Sequence, residues 1–103
     1  YFVNCIIDGN NTEEFQLDTA STTNSFNNAV FDHCTIKTQT NISWGGRFKS
    51  VLQNINPLFL DPSIYHFKLN SGSPAIGAGI TLPNYPNDID GNPRAVPPDI
   101  GAY

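Results

Sequence analysis

Two histidines, a tryptophan near an arginine, two aspartates one residue apart and a glycine-rich run are the parts of this sequence with chemical potential. A histidine titrates near neutral pH and serves as an acid or base when a partner in hydrogen-bond reach orients it. No spacing in the sequence supplies such a partner for His33 or His66. His33 therefore reads as a stacking or turn residue, and His66 as a strand residue between Tyr65 and Phe67. In "NDIDGNPR", Asp88 and Asp90 followed by Gly91 match the first half of a calcium loop, without its third oxygen ligand or late Glu. The other reading is an Asx-turn in which Asp90 caps Gly91 and Asn92, with Arg94 paired to Asp88 or Asp99. Trp44, in "ISWGGRF", could stack on a sugar ring beside Arg47, or fold back over the edge of the core and leave Gly45 and Gly46 to make a turn.

The run "LNSGSPAIGAG" lacks the Lys of a phosphate-binding loop and the spacing of a dinucleotide fingerprint. Ser73 before Pro74 is instead an N-cap with proline at the first helical position, and Gly77 or Gly79 is the left-handed exit. We expect a single helical turn that tucks Ile76 under the core.

These residues sit in a chain of 103 residues, room for one domain. Charged residues make up only 14%, and Asn, Thr, Ser, Gly and Pro are abundant, which favours strands and turns over helices. An all-β protein is expected. A net charge of −4 with five scattered cations excludes the clustered Lys and Arg that a nucleic-acid partner needs, and no apolar run is long enough to span a membrane. The start at "YFVNC" reads as part of a longer chain.

"FVNCIIDGN" and "FDHCTIKTQ" align as Phe-x-[Asn/His]-Cys-x-Ile at a constant offset of 29 residues. In a strand, Cys and Ile two apart share a face, and a period of this size marks a solenoid whose equivalent strands stack. The intervening "EEFQLDTAS" and "NSFNNAVF" supply further short β-like runs, so three strands per period suit one coil of a parallel β-helix. Cys5 and Cys34 then lie one above the other. Side-by-side Cβ vectors suit a disulfide poorly, so both are expected as free thiols. Beyond Trp44 there is one more apolar run at Val51 and Leu52, then Leu58, Phe59 and Leu60 among prolines. From Leu82 onward, five of the eight prolines mark an extended tail expected to lie across the end of the core.

"NPLFLDP" at 56–62, "FKLNSGSPAIGAG" at 67–79, "DIDGNPR" at 88–94 and "PDIGAY" at 98–103 together resemble the C-terminal end of bacterial right-handed parallel β-helix repeat proteins. The resemblance covers about half of the chain. It implies a secreted or bacterial cell-surface protein whose terminal blocks close the solenoid. Relatives of that kind include polysaccharide lyases, glycoside hydrolases and proteins without known activity, so the fold does not fix the function.

The sequence thus leads to a right-handed parallel β-helix with an extended proline-rich C-terminal cap, residues 1–60 forming coils and 61–103 the closing segment. The expected role is structural, within a protein associated with carbohydrate binding or processing. The alternative is the terminal part of a polysaccharide lyase or glycoside hydrolase with its active site upstream. No catalytic residues, metal or cofactor are expected in this segment. Trp44 and Arg47 are the carbohydrate-binding candidates, polysaccharide is the expected partner, and the fragment is expected to self-associate end to end.

Overall fold

The computed structural model describes residues 1–16, 29–43 and 46–103. They form an all-β fold of small sheets with almost no helix. The strands are β1 (Phe2–Val3), β2 (Ile6–Ile7), β3 (Phe31–Asp32), β4 (Thr35–Ile36), β5 (Phe48–Lys49), β6 (Leu52–Gln53), β7 (Phe59–Asp61) and β8 (His66–Leu69). Two three-stranded parallel sheets run in the orders β1-β3-β5 and β2-β4-β6, and β7 pairs with β8 antiparallel.

Each parallel rung is a six-residue unit: two short strands joined at a corner. The corner residues Asn4, His33 and Ser50 have φ of 52°, 49° and 49°. That left-handed conformation costs an ordinary L-residue about 1–2 kcal/mol, and Asn and His are among the side chains found in it more often than most. The corner also reverses the direction of the hydrogen bonds. Before it, the first rung donates to the second, from Phe2 N–H to Val30 C=O (2.8 Å) and from Asn4 N–H to Asp32 C=O (3.2 Å). After it, the second rung donates to the first, from Thr35 to Cys5 (2.8 Å) and from Lys37 to Ile7 (2.9 Å). The second and third rungs repeat the pattern: Phe31 to Arg47, His33 to Lys49, Leu52 to Cys34 and Asn54 to Ile36.

The register puts Phe2 beside Phe31 and Phe31 beside Phe48. Their rings form a column, with centroids 4.7 and 5.4 Å apart and planes within 6° and 12° of parallel. Phe15 stands edge-on to Phe31 at 4.9 Å. Phe31, Cys34 and Ile36 form the buried centre, with Cys5, Ile7, Phe48 and Val51 around them. Both cysteines are free thiols, and burial pushes the Cys34 thiol pKa up, so it stays protonated and acts as a small apolar group. A side network locks the rung ends. The Glu13 carboxylate accepts from the Thr38 hydroxyl and from Gln39 N–H (2.8 Å), while the Gln53 amide reaches the carbonyls of Thr38 and Thr40.

Downstream of the ladder the chain makes a hairpin. Asp61 accepts from Ser63 N–H to cap a 3-10 turn, Pro62–Ile64, and left-handed Tyr65 leads into β8. The "GSPAIGAG" run makes consecutive tight turns. Ser73 Oγ accepts from Ala75 N–H, Ile76 N–H bonds Ser73 C=O, and Gly77 turns left-handed at φ +63°. The expected burial is reversed, because Ala75 is buried and Ile76 is 44% exposed. Gly79 is required by close approach, since a Cβ there would lie 2.8 Å from the Pro98 carbonyl oxygen.

The tail packs against the first rung of the ladder. Gly101 N–H bonds Asn4 C=O (2.9 Å), and the Asn4 amide pairs with both backbone groups of Ile80 at 2.8 and 2.9 Å. The corner thus presents to the tail a carbonyl that the rung ladder leaves unused. Ile100 is fully buried, and its N–H bonds Ala75 C=O. Arg94 gathers the last turn, its guanidinium donating to the carbonyls of Gly101, Ala102 and Tyr103 at 3.1–3.3 Å.

Candidate functional site

Alternation places Tyr1 and Val3 on the outer face of the first sheet, opposite Phe2, and register adds Asp32 and Lys49 to that face. The Tyr1 hydroxyl donates to Asp32 Oδ2, and His33 Nδ1 lies 2.7 Å from Asp32 Oδ1. One carboxylate thus holds a phenol and an imidazole. The Tyr1 hydrogen bond, helped by His33 and Lys49 and opposed by partial burial, holds the Asp32 carboxyl below the usual carboxylate range. The same bond raises the Tyr1 phenol. A carboxylate on Nδ1 favours the tautomer that leaves Nε2 as an acceptor, so the trio can orient a base at the corner of the second rung.

Sequence reasoning left His33 without a partner. The partner is its own neighbour Asp32, brought into reach by the left-handed corner. An Asp-His pair at a strand end, with Tyr1 in phase on the same face, is the signal that marks it.

The other candidates are not brought together. Trp44 lies outside the described residues. Arg47 contributes its carbonyl to the ladder, accepting from Phe31 N–H at 2.6 Å. His66 is exposed at the start of β8, across the hairpin from Asp61. Asp88 and Asp90 diverge. Asp88 accepts from Asn92 N–H (2.8 Å) and from the Asn92 amide, whereas Asp90 pairs with Lys68 at 2.6 Å. The turn is therefore built on Asp88 and not on Asp90, and Arg94 bonds backbone carbonyls in place of Asp88 or Asp99. Asp99 instead accepts from Gly77 N–H (2.8 Å). For Asp88, burial acts to raise the pKa, and the hydrogen bonds from Asn92 and the Asp90 backbone, with the charge of Lys68, together give a net lowering. Among the described residues no group of three or more His, Cys, Asp or Glu is placed to hold a metal ion. No helix among them is long and apolar enough to cross a membrane.

An apolar cleft of about 540 Å³ opens beside the first rung, between Cys5 and Ile6 on one side and Phe59, Phe67, Ile100 and Tyr103 on the other. It joins the ladder, the hairpin and the tail.

The trio has a pH signature. Asp32 has a lowered folded-state pKa, so its contribution to stability is complete above the unfolded carboxylate pKa and is lost as pH falls through the folded value. Tyr1, with a raised pKa, contributes below its unfolded pKa and loses that contribution as pH rises through the folded value. Tyr1→Phe is expected to move the Asp32 titration upward, towards the ordinary range. Carboxyl ¹³C shifts followed against pH check this, and an unmoved Asp32 midpoint contradicts it.

Comparison with family models, with curated proteins and with solved structures gives no match for this chain.

Proposed function

We propose that this chain forms the terminal coils and closing segment of a right-handed parallel β-helix. Its work is structural, in a secreted or bacterial cell-surface protein associated with carbohydrate binding or processing. The observation that carries the reading is the in-register parallel pairing of Phe2, Phe31 and Phe48 across three rungs, with a left-handed corner at the same place in each. Such a stack leaves each rung unable to bury its apolar side alone, which is the physical logic of a solenoid. The tail serves as a strap, covering the outer side of the first rung at Asn4 and Val3. Trp44 and Arg47 remain the proposed carbohydrate contacts.

Native-state amide exchange tests the structural part. The amides of Asn4, Phe31, His33, Thr35, Lys37 and Leu52 are expected to exchange together and most slowly. Rung amides that open independently, or as fast as those of the 84–93 turn, contradict a cooperative ladder. For the carbohydrate part, Trp44→Ala is expected to weaken oligosaccharide binding in titration calorimetry with thermal stability unchanged. Lost stability with unaltered binding assigns Trp44 to packing.

A further inference from the structure

A polar cleft of about 470 Å³ lies beside the ends of β2, β4 and β6, within the size range of small-ligand sites. The ladder builds it. Ile7 pairs with Ile36 and Ile36 with Gln53, and the same register runs on to Asp8, Lys37 and Asn54. The bonds from Lys37 N–H to Ile7 C=O and from Asn54 N–H to Ile36 C=O, 2.9 Å each, hold that register. Ile7 and Ile36 pack into the core, so alternation turns the residues after them outward, in a column with one member per rung about 4.8 Å apart. All three members line the cleft, with Gln39 and Asn56 beside them, and Ile55 is its only apolar side chain among the described residues.

Two of the amides have a fixed polarity. Asn54 Oδ1 accepts from Thr38 N–H (2.8 Å) and Asn56 Oδ1 from Leu58 N–H (2.9 Å), so each NH₂ group is left as a donor without a partner among the described residues. The Asp8 carboxylate and the Gln39 side-chain amide are exposed and make no hydrogen bond or ion pair among the described residues. Lys37 is half-buried, and its ammonium donates to Gly9 C=O at 2.6 Å. The column therefore sets an acceptor, a cation and an amide donor on successive rungs, and its two charges cancel. A ligand that satisfies all three needs groups that both donate and accept along its length, which sugar hydroxyls do. A phosphate or uronate meets one cation, already drawn to a carbonyl, and the Asp8 carboxylate one rung away, so repulsion offsets attraction. A peptide is held through strand edges or apolar pockets, whereas this cleft is a side-chain face with one aliphatic residue.

We propose that this cleft binds a neutral glycan, its sugar rings lying along the Asp8–Lys37–Asn54 column. The inference rests on the carbohydrate association proposed above, and it names the class of sugar and the residues that take it. Coils stacked on the first rung prolong the column and leave its outer face open, so the site and a longer solenoid coexist.

The test is titration calorimetry of the 103-residue chain with short glucan and mannan oligomers, and with a polygalacturonate oligomer as the charged counterpart. A neutral oligomer is expected to bind with an affinity that added salt leaves unchanged, and the polyuronate to bind more weakly. Asp8→Ala is expected to weaken neutral-glycan binding about tenfold, the loss for a hydrogen bond to a charged group. Gln39→Ala is expected to give a smaller loss. Neither side chain has a partner to lose among the described residues, so the thermal midpoint is expected to stay where it was. Asn54→Asp keeps the acceptor for Thr38 N–H and removes only the outward donor, so it is expected to weaken binding in a folded protein. Asp8→Lys is expected to shift preference towards the polyuronate. Tighter binding of the polyuronate by the unaltered chain overturns the proposal. So does neutral-glycan affinity that survives Asp8→Ala, Gln39→Ala and Asn54→Asp; if that affinity is instead lost in Trp44→Ala, the carbohydrate association stands and the cleft alone is refuted. Absence of binding by every oligomer overturns both.

Discussion

Phe31→Ala is expected to lower the unfolding free energy by about 3–5 kcal/mol, the range for truncating a buried phenylalanine. Phe31 is the middle of the aromatic column, with Phe2 and Phe48 stacked on its two faces and Phe15 against its edge. Each such pair adds about 0.5–1.5 kcal/mol beyond area burial, and the substitution removes three at once. It also leaves a void between rungs that backbone hydrogen bonds hold apart, so the site has little freedom to collapse. A domain of this size has about 5–15 kcal/mol of stability in total, so the variant is expected to be largely unfolded in mild denaturant. Phe67 provides the control. It stacks edge-on with Phe59 in the hairpin and is 44% exposed, so Phe67→Ala is expected to cost well under half as much. Urea unfolding followed by far-ultraviolet circular dichroism measures both. Equal losses for the two variants refute the column as the main source of stability.

Ile100→Ala carries the second large effect, about 2–4 kcal/mol by the same cavity logic. Ile100 is fully buried where the tail meets the turn at Ala75 and the first rung at Asn4, three parts of the chain far apart in sequence. The loss is expected to be local first. Amides of Ile80 and Gly101, which bond Asn4, are expected to exchange faster by at least tenfold, while Phe31 and Leu52 lag behind. Uniform acceleration across all of these amides means that tail and ladder unfold as one unit, and overturns the view of the tail as a separable strap. Arg94 is not an equivalent probe. Its guanidinium sits half-buried at the edge of the tail, where water takes over part of the lost donation.

How far these features were legible in the sequence depends on how directly side-chain type encodes them. The pairing of Phe2 with Phe31 and of Ile7 with Ile36 was legible because Phe, Cys and Ile recur at a constant offset. The third rung was only half visible. "FKSVLQ" keeps the Phe and an aliphatic residue in the Cys place, but it has Gln53 where the others have Ile, and it follows after 17 residues in place of 29. The antiparallel hairpin of β7 and β8 was hidden by Pro57 and Pro62, which read as breaks. Pro62 in fact opens the turn that joins the two strands. In the tail, "DIDGNPR" was correctly a turn. Its anchoring residue was misassigned because Asp88 and Asp90 differ only in what lies opposite, Asn92 for one and Lys68 for the other. Arg94 was assigned to a carboxylate on charge alone, whereas backbone carbonyls converging on one point give a planar donor equal satisfaction. The Asp32–His33 pair escaped because His33 was weighed only against distant partners, whereas the left-handed corner at His33 turns its ring onto the carboxylate of the preceding residue.

The unequal spacing of the rungs has a consequence for how such a chain can change. Phe2 to Phe31 spans 29 residues and Phe31 to Phe48 only 17, yet strand alignment and aromatic contact are the same at both steps. Lengthening a closed excursion is thermodynamically mild, about 0.6 kcal/mol for each doubling of its length. Insertions and deletions between rungs are thereby uncoupled from the six-residue units that stack, leaving the excursions open to diversification in size and chemistry without disturbing the core.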